Sequence, residues 1–543
     1  MTGRILGISG PTVSTGLKGL KLYERVYVGH ALLTGEVVRL HEDKAVIQVY
    51  EDTRGLAIGE PIQGVGLPLT VRLSAGLLSG MFDGLQRPLE KMRSEMGPYI
   101  TTSREIAAVD TMKKWRFHPL RKPGEEVGPG EDIGYLEEDS FRHYIMNKTS
   151  ARQKVSWLAD GDISVNDPLG GFENGGEIMG HINWPVRGAR PYRNKHAPSL
   201  PLVTGQRSID FLFPLAKGGT AILPGGFGTG KTILEQAVAK FADVDIVVYT
   251  GCGERGNEMA EMIDEFLSLK DPWRDRPLTA RTILVVNTSN MPVAAREASI
   301  YTAVTMAEYY RDMGYHVLFL ADSLSRWAEA LREISSSLEE MPGEEGYPTY
   351  LSSRLSSFIE RAGVVETLSG KVGSLSMVLS VSPPGGDFTE PVTQACLRAT
   401  GSFLMLDTSL AYRRHFPAIN WSQSYSLYAR DVADHFETQF SSEWTRLQSW
   451  CRELLQKEES LREVAEILGA EGLQDADRLL MHVAEMIRAD FLCQNSFTED
   501  AFSTPEQTFE NIRGIRSFHD QADAILKRGV ALEEALRRAR ETV

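Results

Sequence analysis

One segment constrains the fold of this chain more than any other, because residues 225–232 read Gly-Gly-Phe-Gly-Thr-Gly-Lys-Thr. They match the pattern G-x-x-x-x-G-K-[ST] and lie between an apolar, strand-like run at 220–223 and a helical pattern at 233–241. Glycines let backbone N–H groups turn towards phosphate oxygens, and the N-terminus of the following helix adds partial positive charge. A glycine-rich turn without a ligand is the alternative. The strand–turn–helix context favours a phosphate-binding loop.

The side chains of this loop have separate expected roles. Lys231 is expected to reach the β- and γ-phosphates of a bound nucleotide, and the Thr232 hydroxyl is a candidate ligand for Mg²⁺. The candidate nucleotide-binding residues of the loop are Gly225, Gly226, Phe227, Gly228, Thr229, Gly230, Lys231 and Thr232.

A second glycine-rich segment, Gly-Cys-Gly-Glu-Arg-Gly-Asn-Glu at 251–258, follows a strand-like run at 246–249. Its glycines also fit the dinucleotide-binding fingerprint, but that pattern alone is weak, and Glu254 would then face a pyrophosphate. Opposite a γ-phosphate, the same carboxylate can polarise a water molecule for in-line attack. Arg255 can offset phosphate charge. A capped turn with solvated charges remains the alternative for this segment.

A third signal is the apolar strand-like run at 316–322, which ends in Asp322. An aspartate in this position typically holds Mg²⁺ through water, although Asp322 could instead cap a helix that begins near Ser323. Together with Lys231 and Thr232, the position of Asp322 at the end of this run favours the metal role. Two strand-like runs separate Lys231 from Asp322, and this order predicts that the Glu254 strand lies beside the phosphate-loop strand, as in a RecA-like domain.

The chain changes character along its length and is expected to form several domains. Residues 1–70 read as short strands of an N-terminal β-barrel, 71–110 as a connector and 111–190 as a β-rich insertion. Apolar strands alternate with helical patterns over 191–424, which predicts an α/β core of the RecA-like P-loop NTPase type. Residues 425–543 read as a C-terminal helical domain.

Composition excludes several classes of protein. The net charge of −15 disfavours a nucleic-acid motor, and the four scattered cysteines fit neither a disulfide scaffold nor a zinc motif. We see no apolar run near 18 residues and no signal-peptide core at the N-terminus. The sequence therefore predicts a cytoplasmic protein that reaches a membrane only through partners.

Two aromatic residues and one basic run are less informative. Phe416 and Phe497 could form a base pocket, but judged from the residues alone they are more often core positions. The basic run from Arg187 to Arg193 is typical of a solvated face.

Six long motifs extend this interpretation, and with them the chain resembles the catalytic A subunit of V/A-type rotary ATPases along nearly its whole length. The motifs are Gly-Cys-Gly-Glu-Arg-Gly-Asn-Glu (251–258), Asn-Thr-Ser-Asn-Met-Pro-Val-Ala-Ala-Arg-Glu-Ala-Ser (287–299), Ala-Asp-Ser-Leu-Ser-Arg-Trp-Ala-Glu-Ala (321–330), Met-Pro-Gly-Glu-Glu-Gly-Tyr-Pro (341–348), Pro-Pro-Gly-Gly-Asp-Phe (383–388) and Arg-Arg-His-Phe-Pro-Ala-Ile-Asn-Trp (413–421). The stretch at 111–190 resembles the insertion that distinguishes this type of chain from its noncatalytic partner.

The resemblance implies an enzyme that hydrolyses or synthesises ATP, with ATP or ADP and Mg²⁺ bound. It implies phosphate, metal and catalytic roles for the five residues Lys231, Thr232, Glu254, Arg255 and Asp322. It also assigns Phe416 and Phe497 to an adenine pocket, against the interpretation from the residues alone.

The resemblance further implies partners. Three copies would alternate with three noncatalytic B subunits around a central shaft faced by residues 341–348, with peripheral-stalk subunits and a membrane ion channel completing the complex. The chain would lie on the cytoplasmic face of a membrane without direct membrane insertion. The alternative is a ring subunit that binds a nucleotide without hydrolysing it. It is disfavoured because its nucleotide site would need no base positioned beside the phosphates. The chain departs from the family at Ser336 and Ser337, where a glycine and an arginine are common. Its helical C-terminus is expected to be shorter than is usual in the family.

Overall fold

The computed structural model describes residues 1–97, 106–469, 472–496 and 498–542. They divide into two compact units. The first comprises Met1–Ala197, Val244–Val381 and Phe388–Ala399, and the second comprises Pro198–Asp243, Ser382–Asp387 and Thr400–Val543.

The first unit begins with a closed six-stranded barrel in the order β1-β2-β5-β4-β3-β6. Its strands are β1 (Thr2–Ser9), β2 (Thr12–Thr15), β3 (Glu24–Val28), β4 (Leu33–Leu40), β5 (Ala45–Val49) and β6 (Pro61–Pro68). Side chains alternate between the two faces of a strand, so β-branched residues such as Val26, Val28 and Ile47 fill the barrel interior. The strand-rich N-terminus predicted from the sequence is confirmed as a barrel.

Two four-stranded antiparallel sheets follow, in the orders β10-β13-β15-β16 and β12-β11-β9-β14. The elements from the barrel to the end of these sheets are β7 (Thr70–Ser74), β8 (Met81–Phe82), α1 (Leu89–Met96), β9 (Lys114–Pro119), β10 (Glu126–Val127), β11 (Asp132–Glu138), β12 (Phe141–Met146), β13 (Gln153–Leu158), β14 (Gly161–Ser164), β15 (Pro168–Phe172) and β16 (Glu177–Met179). Two further strands are β17 (His181–Pro185), which pairs with β7, and β18 (Asn194–His196).

The first unit also contains parallel strands in the order β28-β26-β22-β25-β8, with β27 antiparallel to β28 and β18 antiparallel to β27. Its remaining elements are β22 (Ile246–Cys252), α3 (Gly256–Ser268), β23 (Lys270–Asp271), β24 (Arg276–Pro277), β25 (Thr282–Asn287), α4 (Val293–Asp312), β26 (His316–Asp322), α5 (Leu324–Ser337), α6 (Leu351–Ile359), β27 (Gly363–Glu366), β28 (Val372–Val381) and α7 (Pro391–Ala399). Every residue of β22 is buried, as expected of a parallel strand covered on both faces.

The strand that leads to Glu254 does not have the neighbours expected from the sequence. Strand β22 pairs in parallel with β25 on one side and with β26 on the other. The prediction that it lies beside the phosphate-loop strand is therefore wrong. The physical reason is that a helical crossover is long enough to skip a position in a parallel sheet, so strand order along the chain does not fix lateral order.

The second unit holds the phosphate-loop strand and the C-terminal helices. Its elements are β19 (Pro201–Leu202), β20 (Leu215–Ala216), β21 (Thr220–Pro224), α2 (Lys231–Phe241), β29 (Ser402–Phe403), α8 (Thr408–Tyr412), β30 (Tyr425–Ser426), α9 (Ala433–Gln439), α10 (Trp444–Leu468), α11 (Asp475–Met486), α12 (Pro505–Leu526) and α13 (Leu532–Thr542). Strand β21 pairs in parallel with β29. Of the helices described, none is both long and apolar enough to cross a membrane.

A buried ionic contact joins distant parts of the first unit. The guanidinium of Arg187 lies 3.0 Å from Glu36 of β4 and 2.8 Å from Glu297 of α4, and both carboxylates are almost fully buried. Arg354 of α6 lies 3.1 Å from Glu297. Arg190 is also buried, against Asp312. The expectation that the run at 187–193 is a solvated face is therefore wrong at these two positions, because the carboxylates that pair with them are far away in the sequence.

We expect Arg187→Met to destabilise the first unit strongly. The change leaves the buried carboxylates of Glu36 and Glu297 with less compensating charge, and breaking a buried pair costs about 3–5 kcal/mol. The measurement is the urea midpoint of unfolding by circular dichroism. Arg54→Met is the matched control, because its pair with Asp52 is exposed and should contribute under about 1 kcal/mol. Equal midpoints for the two variants would contradict the prediction.

Candidate active site

The phosphate loop of the second unit has the backbone that its glycines predict. Gly228 and Gly230 adopt φ of 78° and 82°, in the left-handed region that L side chains rarely enter. Gly225 is needed for space, because a Cβ there would lie 2.6 Å from Thr229 Oγ1 and 2.8 Å from Leu406 Cβ. The loop therefore turns tightly from β21 into the N-terminus of α2.

The polar side chains of the loop contact its own carbonyl groups. Lys231 Nζ donates to the carbonyl oxygens of Gly225, at 2.7 Å, and Gly226, at 3.0 Å. Thr229 Oγ1 donates to the Gly226 carbonyl at 2.9 Å. Thr232 lies in the first turn of α2, where the N–H groups of a helix point towards an anion. Phe227 is 86% exposed at the tip of the loop.

Glu254 lies just beyond the end of β22 in the first unit. The turn is fixed by backbone hydrogen bonds, since Gly253 N donates to Asn287 O at 2.6 Å and Ser289 N donates to Glu254 O at 2.9 Å. The side chain is oriented by Ser323, whose Oγ donates to Glu254 Oε1 at 3.1 Å. Sequence reasoning missed this role of Ser323. Its position directly after Asp322, at the end of a neighbouring strand, was the available signal.

Asp322 is the last residue of β26, at the carboxyl-terminal end of the parallel strands. Asp322 is the register partner of Gly251 on the parallel strand β22. Asp322 and Glu254 therefore both lie at the carboxyl-terminal ends of neighbouring parallel strands. Asp322 is 4% exposed, and its carboxylate accepts hydrogen bonds from Ser380 Oγ at 2.8 Å and from the Tyr249 hydroxyl at 3.4 Å. The structure thus brings together two of the predicted acidic residues.

The surroundings of Glu254 change the acidity of its carboxyl group. Burial, followed by the negative charge of Asp322, raises the pKa of Glu254 to about 7, while the Ser323 hydrogen bond and the positive charge of Arg326 act in the opposite direction. A carboxyl group with a pKa near neutrality can accept a proton and release it again at physiological pH. Such a shift in a charged cluster is typical of functional sites.

Arginines surround the turn that carries Glu254. Arg255 precedes α3, its side chain is 63% exposed, and its guanidinium lies 3.3 Å from Glu258. A Cβ at Gly253 would lie 2.8 Å from Arg296 Cδ and 2.9 Å from Arg326 Cβ. The sequence singled out Arg255 but not Arg296, which is distant along the chain and reaches the turn from α4.

The aromatic candidates lie in the second unit. Phe416 is half-buried, and its carbonyl oxygen accepts a hydrogen bond of 2.6 Å from Gln494 N. This contact brings residue 416 next to the segment that leads to Phe497. Phe497 itself lies outside the described residues.

Four family models match successive parts of the chain. The beta-barrel domain of the ATP synthase alpha/beta family matches residues 5–66, and the ATP synthase alpha/beta subunit barrel-sandwich domain matches 106–187. The nucleotide-binding domain of the ATP synthase alpha/beta family matches 205–426, and the C-terminal domain of V and A type ATP synthase matches 433–536. The matches cover the barrel, the antiparallel sheets, the phosphate loop with both acidic residues, and the C-terminal helices.

Full-length relatives agree with these matches. The chain is 51% identical to the A subunit of the A-type ATP synthase of Methanopyrus kandleri, over 98% of this chain and 92% of the relative. It is 48% identical to a V-type ATP synthase alpha chain of Clostridium botulinum, again over 98% and 92%. Among solved structures, the ATPase EscN of the enteropathogenic E. coli type III secretion system has the same fold, with a TM-score of 0.67, 22% identity, and coverage of 94% of this chain and 99% of that one. The chain therefore belongs to the family of A-type ATP synthase A subunits and V-type ATP synthase alpha chains, the catalytic subunits that couple ATP hydrolysis or synthesis to ion transport.

Proposed function

We propose that Glu254 is the group that polarises the attacking water during ATP hydrolysis and that Lys231 binds the β- and γ-phosphates. The observation that carries this proposal is the half-buried Glu254 carboxyl, which Ser323 orients and whose pKa is raised by burial and by the charge of Asp322. In synthesis the same carboxyl gives its proton to the phosphate oxygen that leaves as water. The loop glycines and Thr229 give the backbone its turn, so that N–H groups cradle the phosphates.

We further propose that Mg²⁺ accompanies the nucleotide, with the Thr232 hydroxyl as a ligand and the Asp322 carboxylate holding the ion through water. Both groups offer the hard oxygen donors that Mg²⁺ prefers. Asp322 keeps its orientation through the hydrogen bonds from Ser380 and Tyr249. When bound, the ion neutralises charge on the transferred phosphoryl group.

Arg255 is proposed to add positive charge near the phosphates, and its exposure leaves it able to move towards a bound anion. Phe416 and Phe497 are proposed to pack against the adenine base. The hydrogen bond between Gln494 and Phe416 supports a common location for the two segments.

As a member of this family, the chain works within a multi-subunit complex. We propose that it alternates with a noncatalytic B subunit in a ring of three copies each, around a shaft faced by residues 341–348. Exposed Met341, at 83%, supports a contact surface there. Peripheral-stalk subunits and a membrane ion channel complete the assembly, which we place on the cytoplasmic face of a membrane.

The domain division inferred from the sequence remains a proposal: a barrel at 1–70, a connector at 71–110, an insertion at 111–190, the nucleotide-binding domain at 191–424 and helices at 425–543. The ranges of the four family models support it at the level of whole domains.

The test of this function is ATP hydrolysis by the purified chain with and without its B partner. We expect weak activity from the chain alone and an increase of about 10³- to 10⁵-fold on assembly, because ring ATPases complete their sites with an arginine from the neighbouring subunit. The control is a mixture of the chain with a B partner whose ring interface has been altered so that the two cannot assemble. Full activity from the isolated chain as a monomer would show that all the required positive charge acts within one chain.

A further inference from the structure

The first unit contains a cavity of about 270 Å³ that none of the roles above uses. It lies where the antiparallel sheets meet α4 and the turn between β27 and β28. Most of its wall is apolar, formed by Pro129, Ile145, Met146, Met179, Ile182 and Trp184. A concave, largely apolar space with a few polar groups is the usual form of a small-molecule site.

A lysine on this wall is held by neutral groups. Lys148 Nζ donates to two neutral oxygens, the carbonyls of Met179, at 2.8 Å, and His181. Within the part of the chain that the structure describes, no carboxylate lies within 4 Å of this ammonium group. Burial and the nearby positive charge of Arg72 lower the pKa of Lys148 to about 7. The residue as a whole borders solvent, so a ligand can reach it.

A second cation on the wall, Arg190, shares its carboxylate partner with another arginine. Arg190 is 8% exposed, stacks on Trp184 at 4.6 Å, and donates from Nε to Asp312 at 2.5 Å. Asp312 also accepts from Arg311 at 2.7 Å, so one carboxylate serves two guanidinium groups. Arg190 Nη1 has no hydrogen-bond partner among the described residues. The wall therefore carries two basic side chains, Lys148 and Arg190, and one acidic side chain, Asp312, whose carboxylate also pairs with Arg311. An anion bound beside Lys148 would favour the protonated form of its amine.

We propose that this cavity binds a small amphipathic anion, with a carboxylate head beside Lys148, on the same wall as Arg190, and an apolar body on the wall around Trp184. The anion would supply negative charge beside these side chains, and charge-assisted hydrogen bonds are about twice as strong as neutral ones. The residues that form the cavity differ from the candidate nucleotide-site residues, so the proposal stands independently of the roles proposed for those. The competing explanation is that Lys148 only clamps the carbonyls of residues 179 and 181.

The test uses the full-length chain and three eight-carbon probes that differ only in their head group: octanoate, octan-1-ol and octylamine. By isothermal titration, we expect octanoate to bind one saturable site at least about tenfold more tightly than octan-1-ol, the value of one charge-assisted hydrogen bond. Octylamine should bind most weakly because its charge repels both cations. Equal affinity for octanoate and octan-1-ol, or no saturable octanoate binding, would overturn the proposal.

The location of the site is tested with Lys148→Met. We expect this variant to bind octanoate at least about tenfold more weakly, since it keeps the length of the side chain and loses the charge. Lys154→Met is the matched control, because Lys154 is an exposed lysine on β13 paired with Glu173 at 2.7 Å. Unchanged octanoate affinity in Lys148→Met would overturn the assignment. The three-probe comparison uses the unaltered chain, so the decision does not depend on how well the variant folds.

Discussion

Lys231→Ala is expected to abolish ATP turnover and to remove most of the nucleotide affinity. The variant loses the ammonium group that the phosphate loop holds against the carbonyls of Gly225 and Gly226. No other lysine of the loop can replace it, because Lys231 is the only lysine in residues 225–232. The measurements are nucleotide binding by the purified chain and steady-state hydrolysis by the assembled complex.

The matched control for this change is Lys240→Ala, nine residues further along the same helix. Lys240 lies over the ring of Phe241, at 4.7 Å from its centroid, and has no proposed role with phosphate. The control should keep both binding and turnover, which shows that α2 remains folded after loss of a lysine. If Lys231→Ala bound and hydrolysed ATP as the wild type does, the phosphate role of the loop would have to be abandoned.

Glu254→Gln is expected to keep the nucleotide bound while slowing hydrolysis by about 10²- to 10⁴-fold, the usual contribution of a general base. The amide has nearly the same shape and can still accept the hydrogen bond from Ser323. It cannot take a proton from water. Single-turnover hydrolysis and equilibrium binding, measured on the same preparation, separate the two effects.

Glu258→Gln is the control for Glu254→Gln. Glu258 lies four residues further along the chain, is partly exposed, and pairs with Arg255. The Glu258→Gln variant should hydrolyse ATP within about threefold of the wild-type rate, whereas Glu254→Gln should not. A Glu254→Gln complex that turned over within about threefold of wild type would mean that another group polarises the water.

Local patterns predicted the parts of the site that depend on neighbouring residues. The spacing of glycines before Lys231 encodes the backbone turn, and the apolar run before Asp322 encodes a buried strand with a polar end. Both are fixed by interactions within a few residues, which is why they can be read from one sequence.

Long-range arrangement could not be read in the same way. The lateral neighbours of β22 depend on how crossovers fold back on the sheet, and the burial of Arg187 depends on Glu36 and Glu297, each more than 100 residues away. Ser323 and Arg296 were missed as neighbours of Glu254 for the same reason, since strand ends meet only after the sheet forms. A single sequence shows which residues are available for such contacts, but not which of them come together in the fold.

The contact of Arg187 with Glu36 and Glu297 has a mechanical consequence. Replacing a buried ion pair with apolar groups is often neutral for stability, so net stabilisation does not explain such a contact. Sliding the barrel past α4 by a few ångströms would, however, separate charges that are shielded from water, and the cost of that separation rises steeply. The contact therefore resists shear between these two parts of the first unit. A force that acts on the barrel is therefore transmitted to α4 in part through this contact.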